Sequence, residues 1–343
     1  MTLAVSRSID LSRWHTFAMP ATAEAALTVT SIAELQLALH LPQFNDVPKL
    51  ILGGGSNVVF AENFAGLVIR NRLLGKRLEQ TDDAFLLHIG AGEAWDPLVR
   101  WCLDNGIDGL ENLALIPGTI GAAPIQNIGA YGVELADYCS YVEYLEIDSN
   151  ELRRLSAKQC QFGYRDSIFK RQLLGKVVIT AVGLAIPKQW QPQLGYGPLQ
   201  QLQNPTAQHI YDVVVATRQS KLPDPSVLGN AGSFFKNPVI TGAQYQQLQQ
   251  RFSDIPGYKD AAGVKVPAGW LIDQCGLKGH QVGGAAVHQL QALVLVNKRD
   301  AVVADLLALA NDVIDAVEQR YGIELEPEVR ILDKQGRPGW QRC

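Results

Sequence analysis

Two glycine-rich stretches and three polar clusters hold most of the residues in this chain that could do chemistry. Gly53-Gly54-Gly55-Ser56-Asn57 follows an apolar run. Consecutive glycines let backbone N–H groups converge on an anion, and Ser and Asn add side-chain donors. It is not a dinucleotide fingerprint, because the third glycine of G-x-G-x-x-G would fall at Val58, and Val58, Val59 and Phe60 read as strand. No G-K-[ST] occurs either. A tight turn and a phosphate loop are equal readings of this stretch alone. The second stretch runs Ile116-Pro117-Gly118-Thr119-Ile120-Gly121-Ala122-Ala123-Pro124 and continues Gln126-Asn127-Ile128-Gly129-Ala130-Tyr131-Gly132. It strengthens the ligand reading, since two such segments can form two sides of one extended nucleotide site. Residues 112–132 are too poor in charge for a solvated loop and are expected to line something large and buried.

In Tyr164-Arg165-Asp166-Ser167 an arginine lies between apolar Phe162 and Phe169, which aims it at an interior surface. It either meets a ligand there or forms a buried pair with Asp166. Asn230-Ala231-Gly232-Ser233-Phe234-Phe235-Lys236-Asn237-Pro238 offers one hydroxyl, a cation and an amide. No G-x-S-x-G elbow surrounds Ser233, so it is not a hydrolase nucleophile. Capping a turn is the plain alternative. Glu326-Pro327-Glu328-Val329-Arg330 reads either as a solvated edge strand or as a strand placing Glu328 and Arg330 on one face at period two. The six histidines, at 15, 40, 88, 209, 280 and 288, include no pair at metal-ligand spacing, so no metal is expected.

Ser31 and Glu34 form a capping-box pattern before a short helix carrying Leu35, Leu37 and Leu39. Residues 48–52, 58–60, 67–69 and 85–89 read as strands. Asp96 and Pro97 read as the N-cap and first turn of a helix that Gly106 stops. Strands resume at 141–147 and 177–186, then the Gln-, Pro- and Gly-rich stretch 190–205 marks a loop or boundary. A helix from Thr206 to Lys221 ends at Leu222-Pro223-Asp224-Pro225, where two prolines forbid helix and central strand alike. Beyond it, 268–275 reads as a helix and 292–297 as a strand. A long helix starts near Asp300, in which Val303, Leu306, Leu307, Ala310, Val313, Ile314, Val317 and Tyr321 recur at three and four before Gly322. Residues 326–332 read as a closing strand. The class is α+β.

Length and composition bound the rest. With 343 residues, two to three domains are expected. The 30 Lys and Arg balance 34 Asp and Glu without a run of like charge, which excludes a nucleic-acid footprint or a polybasic membrane patch. Apolar stretches fall short of a membrane span, and residues 1–10 carry Arg7 and Asp10 around no apolar run, so a cytoplasmic protein without a secretory leader is expected. Cys102, Cys139, Cys160, Cys275 and Cys343 are odd in number and include no C-x-x-C, which predicts reduced thiols.

Taken together, these motifs resemble one family, the bacterial flavoenzyme UDP-N-acetylenolpyruvoylglucosamine reductase (MurB). The resemblance rests on Gly53 to Asn57, on Ile116-Pro117-Gly118 with 124–134, on Tyr164-Arg165-Asp166-Ser167, on Gly232-Ser233-Phe234-Phe235-Lys236-Asn237-Pro238 and on 325–330, and spans about 14–332. The stretch 190–222, with Gly195-Tyr196-Gly197, is similar to the loop and added segment of the longer, type I form. His15 departs from the Asn usual in the family, and Ala122-Ala123 from a frequent Ser.

The resemblance implies a two-part FAD-binding fold of the vanillyl-alcohol oxidase (PCMH) type plus a C-terminal α+β substrate-binding domain. Residues 1–70 would form the first FAD subdomain, with 326–343 returning to it. Residues 71–221 would form the second, including the insertion at about 190–221, and 222–325 would take substrate. Non-covalent FAD would lie on Gly53, Gly54, Gly55, Ser56, Asn57, Ile116, Pro117, Gly118, Gly121, Ala122 and Gly129, with Arg218 and Arg330 beside it. The implied reaction turns UDP-N-acetylglucosamine enolpyruvate into UDP-N-acetylmuramate for peptidoglycan. Hydride passes from NADPH to the flavin and then to C3 of the enolpyruvyl group, and a proton goes to C2. Arg165 and Glu328 match the pair that holds and polarises the carboxylate, Glu328 in its acid form donating a hydrogen bond. Ser233 matches the proton donor. Tyr131, Tyr164, Tyr196, Lys221, Asn237 and Gln291 match substrate-contacting positions. A flavin-dependent sugar or alcohol oxidase of the same fold, and a flavin-binding regulator without turnover, are the alternatives.

Overall fold

Alternating burial turns the sequence signals into two separate cores. The computed structural model describes residues 3–340. One compact unit takes the chain up to Ile9, Ala23–Gly55 and Ala65–Ser220; the other takes Asp10–Thr22, Ser56–Phe64 and the chain from Lys221 onward.

In the first unit, Thr22–Val29 exposes Thr22, Glu24 and Thr28 and buries Ala23, Ala25, Leu27 and Val29, the period of a strand with one dry face, broken only where small Ala26 is buried on the other face. It lies in a four-stranded sheet ordered Ser6–Asp10, Thr22–Val29, Phe64–Asn71, Lys49–Leu52, whose last two strands run parallel. Ser31 caps the helix Ile32–Leu39 by accepting the Glu34 N–H at 3.2 Å. A five-stranded antiparallel sheet follows, ordered Leu152–Ser156, Cys139–Glu146, Val177–Pro187, Ala84–Gly90, Lys76–Gln80. Its central strand, VVITAVGLAIP, is buried along most of its length. Trp95, Leu98 and Val99 of the helix Trp95–Asp104 and Ile210 and Val214 of the helix Ala207–Lys221 join the same core. Each such side chain contributes about 1.5–3 kcal/mol by leaving water. Asp96 is not the N-cap expected of it. The cap position is Ala94, and the Asp96 carboxylate instead accepts the Leu115 N–H at 2.6 Å, a contact no local pattern announces.

The second unit holds a four-stranded sheet ordered Asn230–Ser233, Val294–Asn297, Ala285–Val287, Gln281–Val282, and a three-stranded one ordered Val239–Ile240, Gly263–Lys265, Tyr258–Asp260. The helix Val303–Tyr321 buries Leu306, Leu309, Ala310, Val313, Ile314, Val317 and Tyr321 in this unit's core. Residues 10–22 are tied in where the Asn230 N–H donates to Thr16 O at 3.0 Å. The closing strand is shorter than expected. Only Arg330–Leu332 pairs, parallel to Val58–Phe60, while Pro327 makes a single bridge to Phe235. The helix Gly242–Arg251 was not anticipated, because only Leu248 of it is buried; its signal was Thr241, which accepts the Gln244 N–H at 3.1 Å.

Among the described residues no helix is long and apolar enough to cross a membrane, and no group of three His, Cys, Asp or Glu could hold a metal. Cys102, Cys139, Cys160 and Cys275 are free thiols. Burial pushes the first three up to about 12, which makes them poor nucleophiles. Cys343 lies outside the described residues.

Candidate functional site

The two glycine-rich segments meet within the first unit. A Cβ on Gly53 would stand 2.3 Å from Thr119 Oγ1, and one on Gly54 would stand 3.1 Å from Gly118 Cα. Close approach of the two segments therefore favours glycine at both positions, against a side chain at Gly53 and against backbone at Gly54. The second segment is itself anchored: the Ile120 N–H donates to Glu93 O at 2.9 Å, the Gly121 N–H to Ala91 O at 2.8 Å and the Trp95 N–H to Gly118 O at 3.1 Å. Ala122 is exposed, Pro117 is exposed and Ile116 is half-buried.

Asn127 is the knot of this region and was not singled out from the sequence. Fully buried, it donates to Glu134 Oε2 at 2.6 Å and Gly163 O at 3.1 Å and accepts the Ala136 N–H at 2.9 Å. Through it the segment 127–136 holds the turn that carries Arg165. Gly163 and Asp166 exchange two backbone hydrogen bonds around Tyr164 and Arg165. Arg165 sits at φ 52°, a conformation that costs a non-glycine residue about 1–3 kcal/mol and clusters at functional sites. Its Nη2 donates to Gly129 O at 3.0 Å, and its guanidinium lies 5.4 Å from the Tyr164 ring. Asp166 pairs with Arg171, so the local partner considered for Arg165 is engaged elsewhere.

Arg218, on the helix Ala207–Lys221, donates from Nη2 to Leu115 O at 3.2 Å, while its buried Nε has no partner. Burial holds its guanidinium below the ordinary range; Arg165 pushes the same way, and Tyr131 and Asp96 oppose. Two guanidiniums within electrostatic reach of each other, one largely desolvated, concentrate positive charge in this part of the unit. Tyr131, at φ 49°, lies beside them, and its ring meets that of Tyr196 edge to face, centroids 6.3 Å apart. Burial raises the Tyr131 phenol, with Arg218 opposing. Tyr196 is 44% exposed.

In the second unit Ser233 ends the strand Asn230–Ser233 and is exposed. The pairing to Val294–Asn297 slips between Asn230 and Ser233, and Gly232 takes φ 70°, a bulge that re-aims the hydroxyl. Asn230 is buried and accepts the Gly232 N–H at 2.9 Å, which fixes the bulge. The Glu328 N–H donates to Phe234 O at 2.7 Å, and the Lys236 N–H to Glu326 O at 2.9 Å. Main-chain bonds thus bring Glu328 alongside the residue next to Ser233. Glu328 lies outside the strand, so the period-two face expected for it and Arg330 is not what places it. Asn57 does that work, donating to Glu328 O at 3.3 Å and accepting the Arg330 N–H at 3.1 Å. Burial alone holds the Arg330 guanidinium below its usual range. Asn237 Oδ1 accepts the Ala268 N–H at 2.9 Å, Gln291 Oε1 accepts the Leu293 N–H at 3.4 Å, and Lys221 is exposed.

In the first unit these residues fit a flavin dinucleotide: a Cβ on Gly53 or Gly54 would crowd the second glycine-rich segment, and the orphaned Nε of Arg218 calls for an electron-rich partner.

Residues 23–156 match the family described as FAD binding domain, and residues 224–332 match the C-terminal domain of UDP-N-acetylenolpyruvoylglucosamine reductase. Curated reductases of that name are near full-length relatives. The one from Pasteurella multocida (strain Pm70) is 53% identical over 330 residues, covering 95% of this chain and 97% of the relative. That from Salmonella typhimurium (strain LT2) is 51% identical, covering 95% and 96%. The crystal structure of the Thermus caldophilus reductase aligns with a TM-score of 0.67 at 24% identity over 96% of this chain and 99% of that one, which shows a shared fold. The architecture is α+β, an FAD-binding domain followed by a C-terminal α+β domain of the reductase type. On full-length identity of about half its residues, the chain belongs to the UDP-N-acetylenolpyruvoylglucosamine reductase family.

Proposed function

We infer that this protein is an FAD-dependent oxidoreductase that uses NADPH to convert UDP-N-acetylglucosamine enolpyruvate to UDP-N-acetylmuramate, a step of peptidoglycan precursor synthesis. The observation that carries this reading is the near full-length identity with reductases of that activity. In this reading individual residues take distinct roles. When bound, FAD supplies the two-electron chemistry that no side chain here can, relaying reducing equivalents from NADPH to C3 of the enolpyruvyl group. Gly53, Gly54, Gly55, Ser56, Asn57, Ile116, Pro117, Gly118, Gly121, Ala122, Gly129, Arg218 and Arg330 hold it.

Arg165 and Glu328 grip the substrate carboxylate, where negative charge grows as C3 is reduced; fixed donors act most strongly on charge that appears only at that moment. Ser233 gives its hydroxyl proton to C2 and regains one from solvent, in keeping with its exposed position. A hydroxyl is a weak acid, yet a carbon enolate is basic enough to take its proton when held in line. Tyr131, Tyr164, Tyr196, Lys221, Asn237 and Gln291 bind the rest of the nucleotide sugar. Residues 1–70 with 326–343, and residues 71–221, form the FAD-holding parts, and 222–325 the substrate domain. The protein works in the cytoplasm, where NADPH and UDP-activated sugars are kept.

The test is an absorbance spectrum of the purified protein. Yellow flavin absorption is expected to bleach with NADPH in the absence of air and return when the enolpyruvyl substrate is added. Recovery only with oxygen would make the protein an oxidase, and a flavin that NADPH never bleaches would make it a binding protein.

A further inference from the structure

The loop that carries Tyr196 is held from below by two residues the reaction itself does not use. The single turn Glu111–Leu113 is buried, with Glu111 2% and Asn112 1% exposed. The Glu111 carboxylate accepts the Trp190 indole N–H at 2.7 Å and the Gly109 N–H at 2.6 Å. Burial lifts this carboxyl above its ordinary range, and the bonds from Trp190 and Gly109 pull it back. The neighbouring amide does a second job. Asn112 Nδ2 donates to Tyr131 O and to Gln193 O, each at 2.9 Å, so one –NH₂ group ties two loops together. Those are the loops whose rings, Tyr131 and Tyr196, meet edge to face.

Packing duplicates this tie only in part: Trp190 and Leu194 lie against the unit's core, but the other side of the loop root is open. A cavity of about 510 Å³, lined by Asp108, Gly109, Gly132, Tyr138, Trp190 and Gln193, borders the root of the loop. On the cavity side the segment has few dispersion contacts to fix it, so there its position rests on hydrogen bonds. We propose that Glu111 and Asn112 are positioning residues for the substrate loop, acting through Trp190 and Gln193 to hold Tyr196 against Tyr131. The inference rests on the reading above, in which Tyr196 meets the substrate.

The test uses the FAD-bound protein and two variants. Trp190→Phe keeps the ring and removes the indole donor; Asn112→Asp keeps the shape and turns a double donor into an acceptor facing two carbonyls. Each is expected to raise KM for the enolpyruvyl substrate about tenfold, the cost of a hydrogen bond lost, while the rate of flavin reduction by NADPH stays unchanged. Amide hydrogen exchange over 189–202, measured without substrate, is expected to quicken in both. In a Tyr196→Phe background the added effect of either change on KM is expected to shrink, because both act through the same side chain. Unchanged exchange and KM in both variants, additive effects on KM, or equal slowing of flavin reduction would each overturn the inference. If Asn112→Asp loses FAD, Trp190→Phe, whose removed group lies on the loop, carries the test. A wild-type protein whose reduced flavin ignores the substrate would refute the functional reading alone, since hydrogen exchange reports the tie without turnover.

Discussion

The two units build their functional residues in opposite ways. In the first, glycine permits close approach: Gly53 lies against the Thr119 side chain and Gly54 against the Gly118 backbone, and the charged groups are guanidiniums, Arg165 and a largely buried Arg218. In the second, glycine bends a strand: Gly232 has no atom within 4 Å of a would-be Cβ, but its φ of 70° makes the bulge that turns Ser233 outward. One unit gathers cationic side chains, the other aims an exposed hydroxyl, which the proposed reaction uses as its proton donor. Close approach fixes position, whereas a bulge fixes direction, and the two respond differently to mutation.

The largest expected effect is at Ser233. Flavin reduction by NADPH needs no proton on carbon, whereas completing the lactyl ether needs one at C2. Ser233→Ala should bleach normally with NADPH and then reoxidise with substrate about 10²- to 10⁴-fold more slowly. Because the residue is exposed, stability should change by no more than about 0.5 kcal/mol. Stopped-flow traces at matched flavin content decide it. If both half-reactions slow together, the hydroxyl only shapes its bulge, and the division of labour between the units is wrong.

That division was half visible in the sequence. The Gly-rich segments announced themselves because close backbone approach demands glycine locally, and the long helix did so through its apolar period. Arg165 was placed at an interior surface by Phe162 and Phe169, but its turn and its bond to Gly129 depend on Asn127, which nothing local marks. The second unit was harder to read. Glu328 reaches Ser233's neighbourhood through main-chain bonds to Phe234 and through Asn57, which lies 271 positions away. A period-two reading of 326–330 placed Glu328 and Arg330 on one strand face, whereas the strand begins only at Arg330. Asp96 misled for the same reason, since a distant N–H took the carboxylate that a local cap would have used.

Tyr196→Phe comes next in size and acts on the charge-holding side alone. Loss of one hydrogen bond to a charged group is worth about 1.5–3 kcal/mol, so KM for substrate should rise roughly tenfold to hundredfold while flavin reduction is spared. Steady-state kinetics against an independent flavin-bleaching rate would show the split. An unchanged KM would mean that the loop does not contribute to binding.

Swapping glycine for alanine sharpens the comparison directly. Gly53→Ala forces a Cβ to within 2.3 Å of Thr119 Oγ1, an overpacking that should cost about 1–3 kcal/mol and weaken FAD retention. Thr119→Ala removes the clashing atom and should restore much of the loss. Gly232→Ala meets no neighbour and pays only for its left-handed backbone, about 1–2 kcal/mol, which no neighbouring change can relieve. Thermal melts of the singles and the double distinguish contact from conformation; a Gly53→Ala loss that Thr119→Ala leaves untouched would mean that close approach is not the reason for the glycine.

The smallest effect is a slope in pH at His15, in the second unit. This ring is buried, its Nε2 lies 3.1 Å from Met19 O and its Nδ1 has no partner. Burial holds its folded-state pKa below the ordinary 6.5, with the Met19 carbonyl and Asp10 opposing. Below pH 6.5 the unfolded chain therefore binds a proton that the folded one resists, and the stability due to this site is present above 6.5 and lost as the pH falls through the folded value. His15→Asn carries no such proton. Its melting temperature at fixed excess FAD should fall less steeply than the wild type's as pH drops below 6.5, and the two curves should run parallel above it. Parallel curves throughout would mean that the imidazole is protonated alike in both states. The first unit offers the opposite sign for comparison: burial raises the Glu111 carboxyl, so its contribution is greatest below the ordinary carboxylate range and declines as pH rises through the folded value.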